Sequence, residues 1–379
     1  MKKLFYLSVI GFVLFEVANV FFIMPLPGSQ EMNSLGLGYF LYKSRWVFRV
    51  LLVAMAIVGL KTAFDASRIR TCIALLIAGV MAYGMNFELA ANAMFHDIEN
   101  KKMVALAQNQ VDPGRIVLGV EFGGEARAYP IQLLSYHHQL MDSIGGKPIL
   151  VTYCNVCRSG RVYEPLVEGA PTAFRLVGMD HYNAMFEDKR TKTWWRQVTG
   201  EAVIGPLKGQ VLPEMPYTQT TLAKWSELYP HTLVMQPDPV FKEAYEGLAN
   251  YEAGLEERRL TRRDKASWQD KSWVVGVEHG TASKAFDWNQ LHVKRILHEE
   301  IAGQPIALFL SQDSRSFTVV ERNDMAQQFD LVNDTLQSGA LRFNFLGKSL
   351  QPGVPDLKRL MAYQEYWHSW RTFHPMTTK

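Results

Sequence analysis

Three long apolar runs open the chain, and short alternating runs separated by glycine and charge fill the rest. The apolar runs extend from Leu4 to Met24, from about Trp46 to Phe64 and from about Ile69 to Met85. Each approaches the ~20 residues a helix needs to cross about 30 Å of hydrocarbon. Residues 1–90 are therefore expected to form a three-helix transmembrane anchor. Lys2 and Lys3 precede the first run as they would in a signal peptide, but the bulky FFIMPLPGSQ that follows offers no small-residue cleavage site. With the N-terminus inside, Lys2, Lys3, Lys61, Arg68 and Arg70 lie in the cytoplasm. Lys43 and Arg45 then lie outside, with Arg49 near the outer end of the second helix. The balance of cations favours this orientation. It places everything after about residue 90 on the extracytoplasmic side of a bacterial inner membrane, as a multi-pass protein whose first partner is the lipid bilayer. Glu16 and Asn19 interrupt the first run. An intramembrane carboxyl is a functional candidate by default, but no second ionisable residue marks a proton path, which favours a protonated group bonded to a neighbouring helix.

Beyond a connector at 91–110, the pattern changes to period two. RIVLGVEFGGEARAYP reads as a hairpin turning at Gly123 and Gly124. IQLLSYHHQLMDSI has near-helical spacing and reads as a short helix or an irregular segment. KPILVTYC and SGRVYEPLV form a second hairpin, with a Cys-x-x-Cys pair at its tip. TAFRLVGM, TWWRQV and AVIGPL continue as short strands, and TLAKWSELYP is a helix stopped by Pro230. The charged stretch 240–272 reads as a linker or long solvated loop.

Residues 117–164 then recur, without a gap, as 274–321. The offset is 157, and 16 of the 48 positions are identical. A later echo pairs WSELYPHT, from Trp225, with WRTFHPMT, from Trp370. Self-similarity at so long a period points to two related modules rather than a solenoid. The expected architecture is a three-helix membrane anchor plus a β-rich α+β extracytoplasmic region built from two tandem related modules, 111–239 and 273–379.

Composition narrows the function classes. A formal charge of +3 with scattered basic residues argues against nucleic acid as a partner. Three cysteines, one of them Cys72 in an apolar run, exclude a disulfide-dense secreted scaffold. No Walker motif, dinucleotide fingerprint, HExxH or GxSxG is present, and Ser311 and Ser314 have no evident histidine partner for serine hydrolysis.

Chemistry therefore concentrates on Cys154 and Cys157. A pair at this spacing cycles between dithiol and disulfide, holds a metal, or closes a small structural loop. A thioredoxin arrangement is disfavoured, because a strand rather than a helix follows the pair. The strand–turn–strand setting is nearer a zinc knuckle, but a second ligand pair is absent. CNVCR lacks the histidine of a haem-attachment motif. So short a loop gains little as a structural staple. In the repeat both cysteines are serines, Ser311 and Ser314, while His137 and His138 become Lys294 and Arg295. That joint loss ties the histidines to the cysteines, and His137 is taken as the residue that tunes a thiol or relays its proton. Tyr182, Asn183, Asp188, Trp195 and Gln197 are the candidate substrate-binding wall. Trp194 and Trp195 point to opposite faces of one strand, so at most one lines that pocket.

The ordered motifs ARAYP, VTYCNVCRSGRVYE and YNAMFEDKRTKTWWRQVTGEAVIGPLKG, over roughly residues 111–235, resemble the domain of unknown function 3179 family. Its motif is of the Tyr-Cys-Pro-x-Cys type, and some relatives carry selenocysteine there. The resemblance implies redox or nucleophilic use of the pair and places His137 on the family's histidine and Asp142 on its acid. This chain departs with Asn155 where proline is common and with His181 in a segment usually less polar. The leading expectation is a thiol–disulfide redox protein acting on a protein thiol or a small molecule, with no cofactor required. The alternatives are copper or zinc binding through Cys154, Cys157, His137 and His181, with Met179 and Met185 as soft donors, and a non-catalytic binding module with a structural disulfide.

Overall fold

The computed structural model describes residues 1–379, which form two compact units. The first comprises Met1–His96, Thr172–Arg196 and Glu201–Val211; the second comprises Asp97–Pro171, Gln197–Gly200 and Leu212–Lys379.

In the first unit, helices α1 (Lys2–Phe21), α2 (Leu35–Ala66) and α3 (Arg68–Tyr83) are built from the three apolar runs. With the π-helical turn Gly84–Glu88 that extends α3, all three are long and apolar enough to cross a membrane. At 1.5 Å per residue, the 32 residues of α2 span about 48 Å, well beyond the hydrocarbon thickness. Its N-terminal turns carry Lys43 and Arg45, which is why hydropathy alone begins this span near Trp46. Glu16 is paired with a neighbouring helix: Arg49 of α2 grips both carboxylate oxygens at 2.7 and 2.8 Å, and Asn86 donates a further bond at 2.8 Å. The partner charge is one that sequence alone assigns to the outer end of the second helix.

The same unit holds a four-stranded antiparallel sheet of Phe174–Asp180, Asn183–Asp188, Trp194–Arg196 and Ala202–Ile204. Its ties to the helices are specific. Met179 N donates to Ile23 O at 2.7 Å, and Trp194 packs edge-on against Tyr39 and Tyr42 of α2. Gly178 sits at φ +152°, where a Cβ would come within 2.3 Å of Ile23 O, so only glycine permits this approach.

The second unit contains a five-stranded sheet and several three-stranded ones. Strands Ile116–Phe122 and Glu125–Pro130 form a hairpin that leads into helix Ile131–His137. Strand Gln139–Ile144 follows, then the hairpin of Lys147–Cys154 and Ser159–Tyr163. The order repeats as Trp273–His279, Ala282–Asp287, helix Trp288–Lys294, Ile296–Ile301, Gln304–Leu310 and Phe317–Glu321. Each first strand has a short helix lying on it through a tryptophan. Trp225 fills the space over Gly119, and Trp370 the space over Gly276. Each indole N–H donates to a threonine seven residues on, Thr232 and Thr377, at 2.8 Å.

Residues 240–272 differ from a solvated linker. Tyr245, Leu248, Tyr251 and Glu252 are buried, and Tyr245 and Tyr251 join the main apolar core. Glu252 accepts from the backbone of Ile116 at 3.1 Å and of Gln132 at 3.0 Å. Charge is abundant in the sequence here, but its burial follows from these long-range partners.

Candidate functional site

The Cys-x-x-Cys pair occupies a four-residue turn between two paired strands, with Cys154 opposite Ser159 in the register. Arg158 closes the turn in the left-handed region at φ 57°. No helix follows Cys157 in the chain, in keeping with the expected hairpin setting. The difference lies in burial. Neither cysteine is in a disulfide, and both are wholly inaccessible, each at 0 % exposure.

Gln197 braces the hairpin from behind. Its amide donates to Thr152 Oγ1 at 3.0 Å and Ser159 O at 3.1 Å, and accepts from Ser159 Oγ at 2.7 Å. The Arg158 guanidinium donates to Gln364 Oε1 and Glu252 O, both at 3.0 Å, and lies over the Trp273 ring. Tyr251 hydroxyl donates to Asn155 O at 2.9 Å. The turn is thus fixed on several sides by the 240–272 segment and by the C-terminal strand.

Two residues outside the sequence-derived set complete the site. Strand Ala362–Tyr366 runs past the turn, with Tyr366 N donating to Cys157 O at 2.9 Å, and hands over to helix Trp367–Phe373. At that junction His368 stands close enough to Cys157 to act on its ionisation, as Cys154 does. His368 Nδ1 lies 3.0 Å from Asp270 O. A carbonyl only accepts, so Nδ1 carries the proton and Nε2 is the basic nitrogen. Burial, together with Cys154, pushes the Cys157 thiol well above its ordinary range, and His368 works in the opposite sense. Lys271 Nζ donates to Val156 O at 2.7 Å, beside the pair. Burial holds this ammonium down to about 8, while Cys157 and Cys154 pull it upward. Lys271 also lines a cavity of about 380 Å³ with Asp270, Trp268 and Arg371.

The remaining candidates have these partners. His137 Nε2 is 2.6 Å from Tyr245 hydroxyl, in an aromatic cluster with Tyr136 and Phe241. His138 O accepts from Tyr153 N at 2.9 Å, beside Cys154 in the chain, and burial and the neighbouring His137 hold its ring down to about 4. Asp142 accepts from Arg127 at 2.9 Å, Tyr129 hydroxyl at 2.8 Å and Lys101 at 2.9 Å, a salt-bridged anchor for its strand. Tyr182, Asn183, Asp188, Trp195 and His181 all belong to the first unit, whereas Gln197 and the cysteines belong to the second. Asp188 there caps a turn, accepting from Thr191, Thr193 and the Trp195 indole N–H. His181 pairs with Asp180 at 2.7 Å, which raises its pKa, and Arg196 holds the other Asp180 oxygen at 2.6 Å. Met179 and Met185 are buried in the same sheet. No three His, Cys, Asp or Glu side chains converge as a metal centre would require.

Sequence reasoning reached the thiols and their brace but missed Lys271 and His368, which lie more than a hundred residues downstream. One signal was available. His368 lies two residues before Trp370, where the WRTFHPMT echo of WSELYPHT begins.

No curated protein and no solved structure matches the chain. A family model described as "protein of unknown function (DUF3179)" matches residues 94–377. The match runs well past residue 235, so it takes in both the cysteine hairpin and the half that carries His368. On that match the chain belongs to the DUF3179 family of proteins of unknown function.

Proposed function

We propose that this is a membrane-anchored, extracytoplasmic thiol–disulfide redox protein in which Cys157 attacks, Cys154 resolves and His368 moves the proton. What supports this reading is that Cys154, His368 and Lys271 all act on the buried Cys157 thiol, and that the strand leading into the helix that carries His368 is tied to the turn through Tyr366 N and Cys157 O at 2.9 Å. Burial makes a spontaneous thiolate scarce, so a base in direct contact is what the nucleophile needs. Lys271 adds a nearby ammonium whose proton is readily exchanged near neutral pH.

The step balances with a substrate disulfide as the oxidant. His368 Nε2 takes the Cys157 proton, and the thiolate attacks one substrate sulfur. The substrate S–S bond breaks, and the leaving sulfur takes the proton back from His368. Cys154 then gives up its own proton by the same route and attacks Cys157 Sγ, releasing the second substrate thiol. The protein pair loses two electrons and two protons, and the substrate gains both. The reverse sequence oxidises a dithiol. Both sulfurs are fully buried and neither lines the cavity beside Lys271, so exchange requires the turn to open to a small disulfide or a single extended segment.

The wider architecture belongs to the same reading. We take 111–239 and 273–379 as tandem modules, supported by the constant offset of 157 and the equivalent Gly119–Trp225 and Gly276–Trp370 packing. The extracytoplasmic placement is supported by the cations of the loops and helix ends. The test uses the full-length protein in detergent, with thiol titration before and after reduction, metal analysis, and exchange with a small aromatic disulfide. Two titratable thiols gained on reduction, with exchange lost in Cys154→Ser, supports the proposal. Stoichiometric copper or zinc that disappears in the Cys154→Ser, Cys157→Ser double variant would replace it with the metal reading.

A further inference from the structure

A cavity of about 540 Å³ opens in the first unit, at the end of the helix bundle that carries the four-stranded sheet. Its walls come from the last turn of α1, the N-terminal part of α2, the end of the third span and the strands Phe174–Asp180 and Asn183–Asp188. The charge is lopsided. Lys43, Arg45, Arg175 and Lys192 line it, against one carboxylate, Glu187. Glu187 is already committed, accepting from Arg175 at 2.7 and 3.0 Å and from the Trp194 indole at 3.1 Å. Lys43, Arg45 and Lys192 have no carboxylate partner. Arg45 instead lies over the Tyr42 ring and donates to Tyr42 O at 2.5 Å.

The second observation is Asn19. It also lines the cavity, is only 5 % exposed, and its Oδ1 has no hydrogen-bond partner. A buried, unpaired amide at the edge of a membrane costs free energy unless something occupies the space before it. Asn19 lies two residues before the end of the apolar helix Lys2–Phe21, so an occupant that reaches it would sit near one end of that candidate span. The cations suit a phosphate, and the adjoining helix surfaces suit acyl chains.

We infer that this cavity binds the phosphate headgroup of an anionic phospholipid. Lys43, Arg45 and Lys192 neutralise the phosphate, and Asn19 bonds the glycerol or headgroup hydroxyls. The inference is independent of the thiol chemistry, because every residue in it belongs to the first unit.

The test is retention of lipid by the full-length protein. The protein is loaded in phosphatidylglycerol-containing detergent, then diluted into phosphatidylcholine nanodiscs, and bound phosphatidylglycerol is measured by mass spectrometry. One equivalent should stay with the wild type. Lys43 and Lys192 are exposed, so Lys43→Ala, Lys192→Ala tests the site without threatening the fold. Each lost cation should weaken retention about five-fold. Lys43→Arg, Lys192→Arg should restore it, and Asn19→Asp should abolish it by placing a like charge against the phosphate. Retention unchanged in the double alanine variant, or equal retention of phosphatidylcholine, would overturn the inference. Displacement of the lipid by millimolar inorganic phosphate would also overturn it, assigning the cavity to a free anion.

Discussion

Two hairpins of the second unit carry the same kind of turn and treat it in opposite ways. In the first, Cys154 to Arg158 are all buried, and the groups that meet the side chains are a histidine and a lysine. In the second, Gln312 and Asp313 are exposed, and Ser311 and Ser314 meet groups that satisfy hydroxyls. Ser311 Oγ donates to Asp334 at 2.7 Å, and Ser314 Oγ accepts from Arg295 at 2.9 Å. A hydroxyl must be hydrogen-bonded when it leaves water, whereas a thiol behaves as a small apolar group and survives deep burial. Sulfur therefore lets the first turn be enclosed, and the enclosure lets a single base govern its protonation. The second half has not simply lost chemistry: its strand–helix junction supplies His368 to the first.

The strongest way to break this comparison is to exchange the turns' side chains. Cys157→Ser should abolish disulfide exchange altogether. Ser311→Cys, Ser314→Cys, made in a Cys154→Ser, Cys157→Ser background, should not restore it. Those thiols would face Asp334 rather than a histidine, and a nearby carboxylate disfavours a thiolate. Exchange kinetics with an aromatic disulfide would decide; a grafted pair as fast as the native one would show that the surroundings are irrelevant. His368→Gln should slow exchange about 10²-fold or more at pH 7 while leaving the melting temperature nearly unchanged. The residual rate should climb steadily with pH as bulk base takes over.

His138 gives a stability test in the same region. Its folded pKa of about 4 lies below the 6.5 of a free histidine, so the folded state holds the neutral ring. Its stabilising contribution is whole above pH 6.5 and is lost as pH falls through about 4, on the order of 3 kcal/mol in all. Glu214, pushed up to about 6 by burial, works the other way, its contribution fading as pH rises from 4.5 through 6. The difference between wild type and His138→Asn isolates the histidine, since asparagine tolerates the left-handed backbone at φ 61°. Urea melts from pH 7 to pH 4 should show the wild type losing stability relative to the variant. Parallel curves would refute the assignment.

The smallest effect belongs to Lys271. Below pH 8 its ammonium favours thiolate beside it, so Lys271→Met should slow exchange at pH 7 about tenfold, as one pKa unit would. The wild-type pH–rate profile should show an inflection near 8 that the variant lacks.

Much of this molecule is legible in its sequence because the governing patterns are local. The three spans follow from apolar length, the hairpins from alternation around glycine turns, and the helix Leu222–Leu228 from its stop at Pro230. The equivalence of Ser311 and Ser314 to the cysteines needs only the offset. What stayed hidden depends on distant pairing. Nothing near Glu16 announces Arg49, and nothing around Cys157 announces His368. His137, which vanishes with the cysteines in the repeat, has its Nε2 bonded to Tyr245, a partner from a segment that reads as a charged linker. Charge content along 240–272 concealed the buried tyrosines that anchor it.

The most direct measurement is the oxidation state of Cys154 and Cys157 in the full-length protein, equilibrated in redox buffers and counted by mass spectrometry after rapid alkylation. A freely reversible two-electron transition between about −300 and −200 mV is expected, because the reduced form has no strongly stabilised thiolate to make the pair a powerful oxidant. A pair that remains dithiol across the whole range, or reacts only after unfolding, would contradict the redox role and leave two buried sulfurs serving as packing.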